Sequence, residues 1–111
     1  MSHKEEITEW GKIWYFNNIE NTFRFAIYQY DDNPNIIYLS NIFVSPEYRR
    51  IGFGNSILNT VDKIAKNKGA KIIFLKVKKE SFAHSWYKKN NYIDDQIDEE
   101  DKTMIWMKKE V

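Results

Sequence analysis

The stretch Val44–Gly54 reads VSPEYRRIGFG, and two of the chain's four glycines fall in it with one residue between them. An apolar helical repeat follows directly, with Ile57, Leu58, Val61, Ile64 and Ala65 at i, i+1, i+4, i+7 and i+8. In a helix interior each glycine costs about 1 kcal/mol relative to alanine. Two of them at the threshold of the longest helix therefore need a reason outside helix formation. Immediately upstream lies IIYLSNIFV (Ile36–Val44), a nearly continuous apolar run of the kind that forms a central strand covered on both faces. VSPEYRRIGFG is thus a strand-to-helix turn. Such a turn leaves backbone N–H groups unpaired, and a helix N-terminus favours anions. Two readings stay open on this ground alone. RRIGFG cradles a phosphate, with Arg49 and Arg50 supplying positive charge, or the glycines merely allow the turn to pack tightly.

Working outward, GKIWYF (Gly11–Phe16) and TFRFAIYQY (Thr22–Tyr30) read as strands, separated by the turn-forming NNIEN. DDNPN (Asp31–Asn35) is a strong turn signal before the central run, so three strands should form an antiparallel meander. The helix is expected from about Ile51 to Lys68, with Gly69 in the place of a left-handed C-terminal cap. KIIFLKV (Lys71–Val77) reads as a buried strand, SFAHSWYKKN (Ser81–Asn90) as a short helix capped by Ser81, and TMIWMKK (Thr103–Lys109) as a closing strand. Between the last two, YIDDQIDEED (Tyr92–Asp101) crosses an acidic loop or hairpin turn. The order β-β-β-α-β-α-β describes an α/β fold, a mixed and mostly antiparallel sheet with helices packed on it. No repeat or linker divides the chain, so residues 1–111 are expected to form one domain.

Composition narrows the chemistry. The absence of cysteine removes disulfides, thiolate nucleophiles and cysteine-based zinc sites, and two histidines make a multi-histidine metal site improbable. Seventeen basic and sixteen acidic residues give no bulk charge that would argue for nucleic acid or a membrane. A sheet that binds nucleic acid would need aromatics and lysines to share one exposed face. No apolar run approaches the roughly 18 residues of a membrane span, and MSHKEEITEW lacks the apolar core of a secretion signal. The expectation is a soluble, cytoplasmic protein.

Competing phosphate motifs fail. G-x-G-x-x-G would need glycine where Ile57 stands, and no G-K-[ST] occurs. What remains resembles the signature of the GNAT superfamily of acetyl-CoA-dependent N-acyltransferases: a strand ending in V-x-P, then R/Q-x-x-G-x-G/A, with Arg49, Gly52 and Gly54 in the defining positions. A second stretch, AHSWYKKNNY (Ala83–Tyr92), looks like the family's A-x-x-x-Y-x-x-x-G-F helix and turn. Ala83 and Tyr87 match there, while Asn91 replaces the glycine and Tyr92 the phenylalanine.

The resemblance implies acetyl-CoA as cofactor and an amine as acceptor. The backbone N–H groups of Arg50, Ile51, Gly52, Phe53, Gly54 and Asn55 would hold the pyrophosphate, and the main chain of Phe43, Val44 and Ser45 would pair with the pantetheine arm. Tyr87 would protonate the departing thiolate, a role that suits a phenol with an unperturbed pKa of about 10. Attack by the amine on the thioester is direct, without a covalent enzyme intermediate, and a backbone N–H near Val44 would polarise the carbonyl. A core tyrosine with a bonded hydroxyl is the structural alternative for Tyr87.

Two departures stand out. Many relatives carry a glutamate base on the central strand, but Ile36–Val44 has no carboxylate and Tyr38 occupies the matching site. Ser40 or Asn41 could order a water, or Asp31, Asp32 or the 94–101 loop could supply a base; a module that binds acyl-CoA or a protein without catalysis is the alternative. The family also inserts two helices after its first strand, whereas only NNIEN and its neighbours separate Phe16 from Phe23. An open acceptor side favours a protein lysine or N-terminus, or completion by a second subunit in a homodimer. The acidic segment is either a solvated loop or a lure for a cationic acceptor. Lys88 and Lys89 belong to a wet face or meet the 3′-phosphate of coenzyme A. His84 is expected to be exposed, Trp86 and Trp106 to lie in the core or at a dimer contact, and Glu80, where relatives often have asparagine, to weaken a secondary cofactor contact.

Overall fold

Four antiparallel strands open the chain: β1 (Ser2–Ile7), β2 (Gly11–Asn17), β3 (Phe23–Tyr30) and β4 (Ile36–Val44). A single-turn helix α1 (Pro46–Arg49) and the long α2 (Phe53–Asn67) lead to β5 (Ile72–Lys78). Then come α3 (Phe82–Lys89) and a closing hairpin of β6 (Ile93–Ile97) and β7 (Met104–Glu110). This computed structural model describes residues 2–18, 20–49 and 52–111. The seven strands form one sheet in the order β1-β2-β3-β4-β5-β7-β6, in which β4 and β5 are the parallel neighbours. The expected α/β class, the central place of Ile36–Val44 and both principal helices are all present.

β1 was not anticipated, and β6 forms within the stretch that reads as an acidic loop or hairpin turn. Both are edge strands, and their sequences, SHKEEI and IDDQI, carry no apolar alternation. They are exposed along their length and rich in charged side chains, which is how natural edges avoid adding another strand. Because β1 precedes Gly11, the connection after the first strand is the tight turn of residues 8–10. There the Thr8 N–H donates to the Gly11 carbonyl at 2.8 Å. The 18–22 connection is held by the Asn18 side chain, which accepts from the Thr22 and Phe23 N–H groups at 2.7 and 3.3 Å. Neither connection holds a helix among the described residues.

Both principal helices end as the sequence suggests. Gly69 (φ 78°) follows α2, with the Ala70 N–H on the Ala65 carbonyl and the Gly69 N–H on Lys66. Asn91 (φ 72°) closes α3 in the same pattern, with Tyr92 N–H on Tyr87 and Asn91 N–H on Lys88. Asparagine is the side chain that best tolerates this left-handed backbone, which accounts for its place where the motif has glycine.

Alternation along the strands sorts the side chains. Trp14, Phe16, Phe25, Ile27, Ile37, Leu39, Ile73 and Leu75 point to one face and pack with Ile57, Leu58, Val61 and Ala65 of α2 and Tyr87 of α3. The other face is roofed by rings instead of a helix. Tyr30 meets Tyr38 edge-on at 5.5 Å, and Tyr38 stacks on Phe74 at 5.9 Å and meets Trp106 at 6.1 Å. Central β4 is therefore covered by helix on one face only, which corrects the expectation of double cover. Aromatic layering half-buries Tyr38 on the other face.

Candidate active site

β4 and β5 pair only where Ile36–Tyr38 meets Ile72–Phe74, although β4 continues to Val44 and β5 to Lys78. The cause is an extra residue in β4. Arg24 pairs with Phe43 and Ala26 with Ser40, so two residues of β4 oppose one of β3, and Asn41 takes a left-handed φ of 55°. A bulge of this kind bends and twists its strand. The parting strands leave a cleft of about 930 Å³ that reaches from Ser40 and Asn41 on β4 to Lys76 and Lys78 on β5, with Tyr87 and Trp106 in its walls.

At its mouth the backbone of β4 is turned toward the cleft. The Ser45 N–H donates to the Thr22 carbonyl at 2.7 Å, so 22 and 45 are a hydrogen-bonded pair and Phe23–Val44 a non-bonded one. The N–H and C=O of Val44 consequently point away from β3, to the side β5 has left. Arg49 takes the carbonyl with its Nε at 2.7 Å, and its guanidinium lies 5.9 Å from the Phe43 ring centroid, where Arg24 sits at 4.6 Å. Arg49 thus fastens α1 to the end of β4. The sequence reading had it only as a counter-charge.

The two glycines have different reasons. Gly52 is the N-cap of α2 at φ 76°, with no side-chain cap, and a Cβ there would meet no atom within 4 Å. It supplies the left-handed turn and an open approach to the first-turn N–H groups, including those of Phe53, Gly54 and Asn55. Gly54 is buried, and a Cβ there would sit 2.8 Å from Trp86 Cζ2. It lets α2 and α3 meet. Tight packing therefore accounts for Gly54, whereas Gly52 stands in open space. The Asn55 side chain serves the same helix contact, accepting from Trp86 Nε1 at 2.9 Å and Asn90 Nδ2 at 3.3 Å. Arg50 and Ile51 lie outside the described residues.

Tyr87 is 4% exposed, lines the cleft, and packs against Trp86 at 4.9 Å and Tyr92 at 5.5 Å. Burial pushes its hydroxyl well above the ordinary phenol range, so it is protonated at any neutral pH. One turn earlier, His84 is buried, contrary to expectation. Its Nδ1 accepts from the Glu80 N–H at 3.0 Å and its Nε2 lies 2.7 Å from Asp94 Oδ1, which fixes the proton on Nε2. Ser81 caps the same helix by accepting from the His84 N–H at 3.2 Å. His84 and Asp94 therefore anchor α3 to β6 and keep Tyr87 in register.

The candidate bases do not converge. No carboxylate among the described residues lines the cleft. Burial raises the pKa of Tyr38, so it cannot replace one. Three carboxylates of the acidic segment are paired internally: Asp94 with His84 and Lys88, Asp95 with Lys108 at 3.2 Å, and Asp98 with Trp106 Nε1 at 3.1 Å and Lys76 at 3.8 Å. Trp86 packs between helices, whereas Trp106 lies in the ring layer beside the cleft. The ring layer was legible in strand parity, since Tyr28, Tyr30 and Tyr38 alternate against Phe25, Ile27, Ile37 and Leu39.

Residues 5–92 match the sequence model of the acetyltransferase (GNAT) family. The chain belongs to that family. Solved structures agree in fold. The GNAT chain resembles PaiA N-acetyltransferase from Thermoplasma acidophilum in complex with coenzyme A, at 24% identity and a TM-score of 0.72, over 91% of this chain and 58% of that one. It also resembles a GNAT family acetyltransferase from Elizabethkingia anophelis with acetyl-CoA bound, at 20% identity and a TM-score of 0.71, over 91% and 76% of the two chains. A third, a GNAT family acetyltransferase from Staphylococcus aureus, matches at 18% identity and 0.70, over 90% and 67%. A search of curated protein sequences returns no match. No helix among the described residues of this GNAT chain is long and apolar enough to cross a membrane.

Proposed function

We propose that the protein transfers the acetyl group of acetyl-CoA to an amine. The observation that carries this reading is the split between β4 and β5. Beyond the pairing, β4 turns the N–H of Val44 toward the side β5 has left and leads, through Arg49 and Gly52, to the start of α2, which has no side-chain cap. The residues fit the group: a left-handed glycine with open space where a Cβ would stand, at the start of a helix without a side-chain cap, is a site a phosphate can approach. In this reading Gly52, Phe53, Gly54 and Asn55 hold the pyrophosphate by main chain, and Phe43 to Ser45 flank the pantetheine arm. Structures of two similar proteins contain coenzyme A or acetyl-CoA.

Acetyl-CoA supplies the acetyl group as a thioester, which an amine can attack directly. The Val44 N–H orients the carbonyl. Tyr87, held neutral by burial, donates a hydrogen bond to the sulfur as charge develops there. A phenol with a raised pKa does not give up its proton unaided, so Tyr87 works as a relay: it passes its proton to sulfur as it receives the one the amine must lose. With no carboxylate on the cleft wall, the amine has to arrive in its neutral form.

That same absence favours the second reading, a module that binds acyl-CoA without turnover. Calorimetric titration with coenzyme A tests the shared part: binding tighter than millimolar is expected, and no binding refutes both. Release of free thiol from acetyl-CoA, dependent on added amine, separates the transferase from the module.

A further inference from the structure

We infer that the acceptor is a small amine that also carries a flat ring and an anionic group, a carboxylate or a phosphate. This rests on the transferase reading and narrows it. On its helix-free face the cleft is walled by Tyr28, Tyr30, Tyr38 and Trp106. The wall continues past the cleft, because Trp10 stacks on Tyr28 at 6.1 Å and tilts against Tyr30 at 4.7 Å. Rings this close expose edges and half-buried faces to whatever enters, a surface suited to another ring. Tyr30 and Trp10 each remain 38% exposed, so the wall is open to a ligand.

The charged side chains that line the cleft are cationic. Lys76 and Lys78 line it and no carboxylate does. Lys76 Nζ stands 5.5 Å from the Trp106 ring centroid, and Asp98 balances it only from 3.8 Å. Lys78 has no ion-pair partner among the described residues. Arg24 and Lys4 line the neighbouring hollow of about 650 Å³, which shares Asn41 and Ile42 with the cleft. A polyamine or lysine-rich peptide would bring cations to cations, whereas an anion beside the reacting amine meets Lys76 and Lys78 while its ring lies on the aromatic wall. Of the acidic residues that would have drawn a cationic acceptor, Asp94, Asp95 and Asp98 are paired with lysines, His84 and Trp106.

The test is equilibrium binding of matched probes to the full chain, with and without saturating coenzyme A: indole-3-acetate and an indolyl phosphate (ring plus anion), tryptamine (ring plus cation) and spermidine (cation alone). At least one anionic indole is expected to bind 10-fold or more tighter than tryptamine, and spermidine weakest. The carboxylate and phosphate arms decide which anion is preferred. In Lys76→Ala/Lys78→Ala the preference should vanish, and in Lys78→Glu it should reverse; both side chains are exposed, so folding is not at stake. Equal or tighter binding of tryptamine or spermidine overturns the inference, as does a preference that survives the lysine substitutions or the absence of any binding below about 10 mM, a Kd far weaker than the millimolar reference. If the anionic preference appears but coenzyme A does not bind, the transferase reading falls and the selectivity of the groove stands.

Discussion

The sharpest structural claim about VSPEYRRIGFG is that its two glycines are there for different reasons, and Gly54 gives a quantitative way to check it. Alanine at Gly54 gains roughly 1 kcal/mol of helix propensity. Against that, its Cβ would stand 2.8 Å from Trp86 Cζ2, a contact that side chains do not tolerate without a shift. Trp86 is not free to swing, because its Nε1 donates to Asn55 at 2.9 Å and its ring packs on Tyr87. Overpacking of this kind costs about 1–3 kcal/mol, so Gly54→Ala should destabilise by about 0–2 kcal/mol net. Trp86→Phe removes the offending atom along with one hydrogen bond worth about 0.5–1.5 kcal/mol. In that background Gly54→Ala should become stabilising. Urea unfolding of the four proteins in the cycle should therefore show a coupling of about 1–3 kcal/mol. The reasoning fails if Gly54→Ala stabilises with Trp86 intact, or if the coupling lies within about 0.3 kcal/mol of zero.

Gly52→Ala should cost about 1–2 kcal/mol through its positive φ alone, and Gly52→Asn less, in the same unfolding assay. Tyr87→Phe should lower kcat by about 10²–10⁴-fold while calorimetry shows coenzyme A binding retained; an unchanged rate removes Tyr87 from proton transfer. Glu80 is the non-asparagine among the described side chains at positive φ, at 61°, so Glu80→Asn should stabilise by about 0.5–1 kcal/mol with the His84 contact kept. The His84 hydrogen bond holds the Asp94 carboxyl below its ordinary value, so Asp94 stabilises the fold above the unfolded aspartate pKa of about 4 and that contribution is lost as pH falls further. In acid titrations followed by circular dichroism, Asp94→Asn should flatten this loss. Because no carboxylate or histidine among the described residues lines the cleft, kcat/KM should rise about tenfold per pH unit up to the acceptor's own pKa; a plateau near pH 6–7 would reveal a base on the protein.

How much of this was legible in the sequence depended on whether an element buries a side-chain pattern. β4, β5, α2 and α3 do, and their periodicities locate them to within about two residues. β1 and β6 present no buried side-chain pattern, so SHKEEI gives no strand signal and IDDQI falls within what reads as an acidic loop or hairpin turn. His84 failed for a related reason. Its burial comes from two partners distant in kind, the Glu80 N–H behind it and Asp94 on the next strand, and no local pattern announces a long-range carboxylate. The glycine motif was legible as a turn, but Trp86 lies 32 positions beyond Gly54 and only the packing of α3 on α2 shows what Gly54 is for.

The helix-free face follows from the same short chain that makes the fold small, and it bears on specificity. A sheet with one covered face ordinarily turns polar residues to water on the other. Here Tyr28, Tyr38, Phe74 and Trp106 occupy that face at half burial, in contact with one another, and Lys76 and Lys78 stand on the same strand faces. Strand parity puts the rings beside the cleft because the bulge at Asn41 opens the sheet where the ring layer ends. One irregularity in β4 therefore does two things: it leaves the Val44 N–H facing the gap beside β5 and admits a ligand from the ring side. Restoring the regular register, by deleting Asn41, should close both at once, so that coenzyme A binding and acceptor binding are lost together while the rest of the sheet stays folded. Loss of one without the other would mean that the two halves of the cleft are built independently.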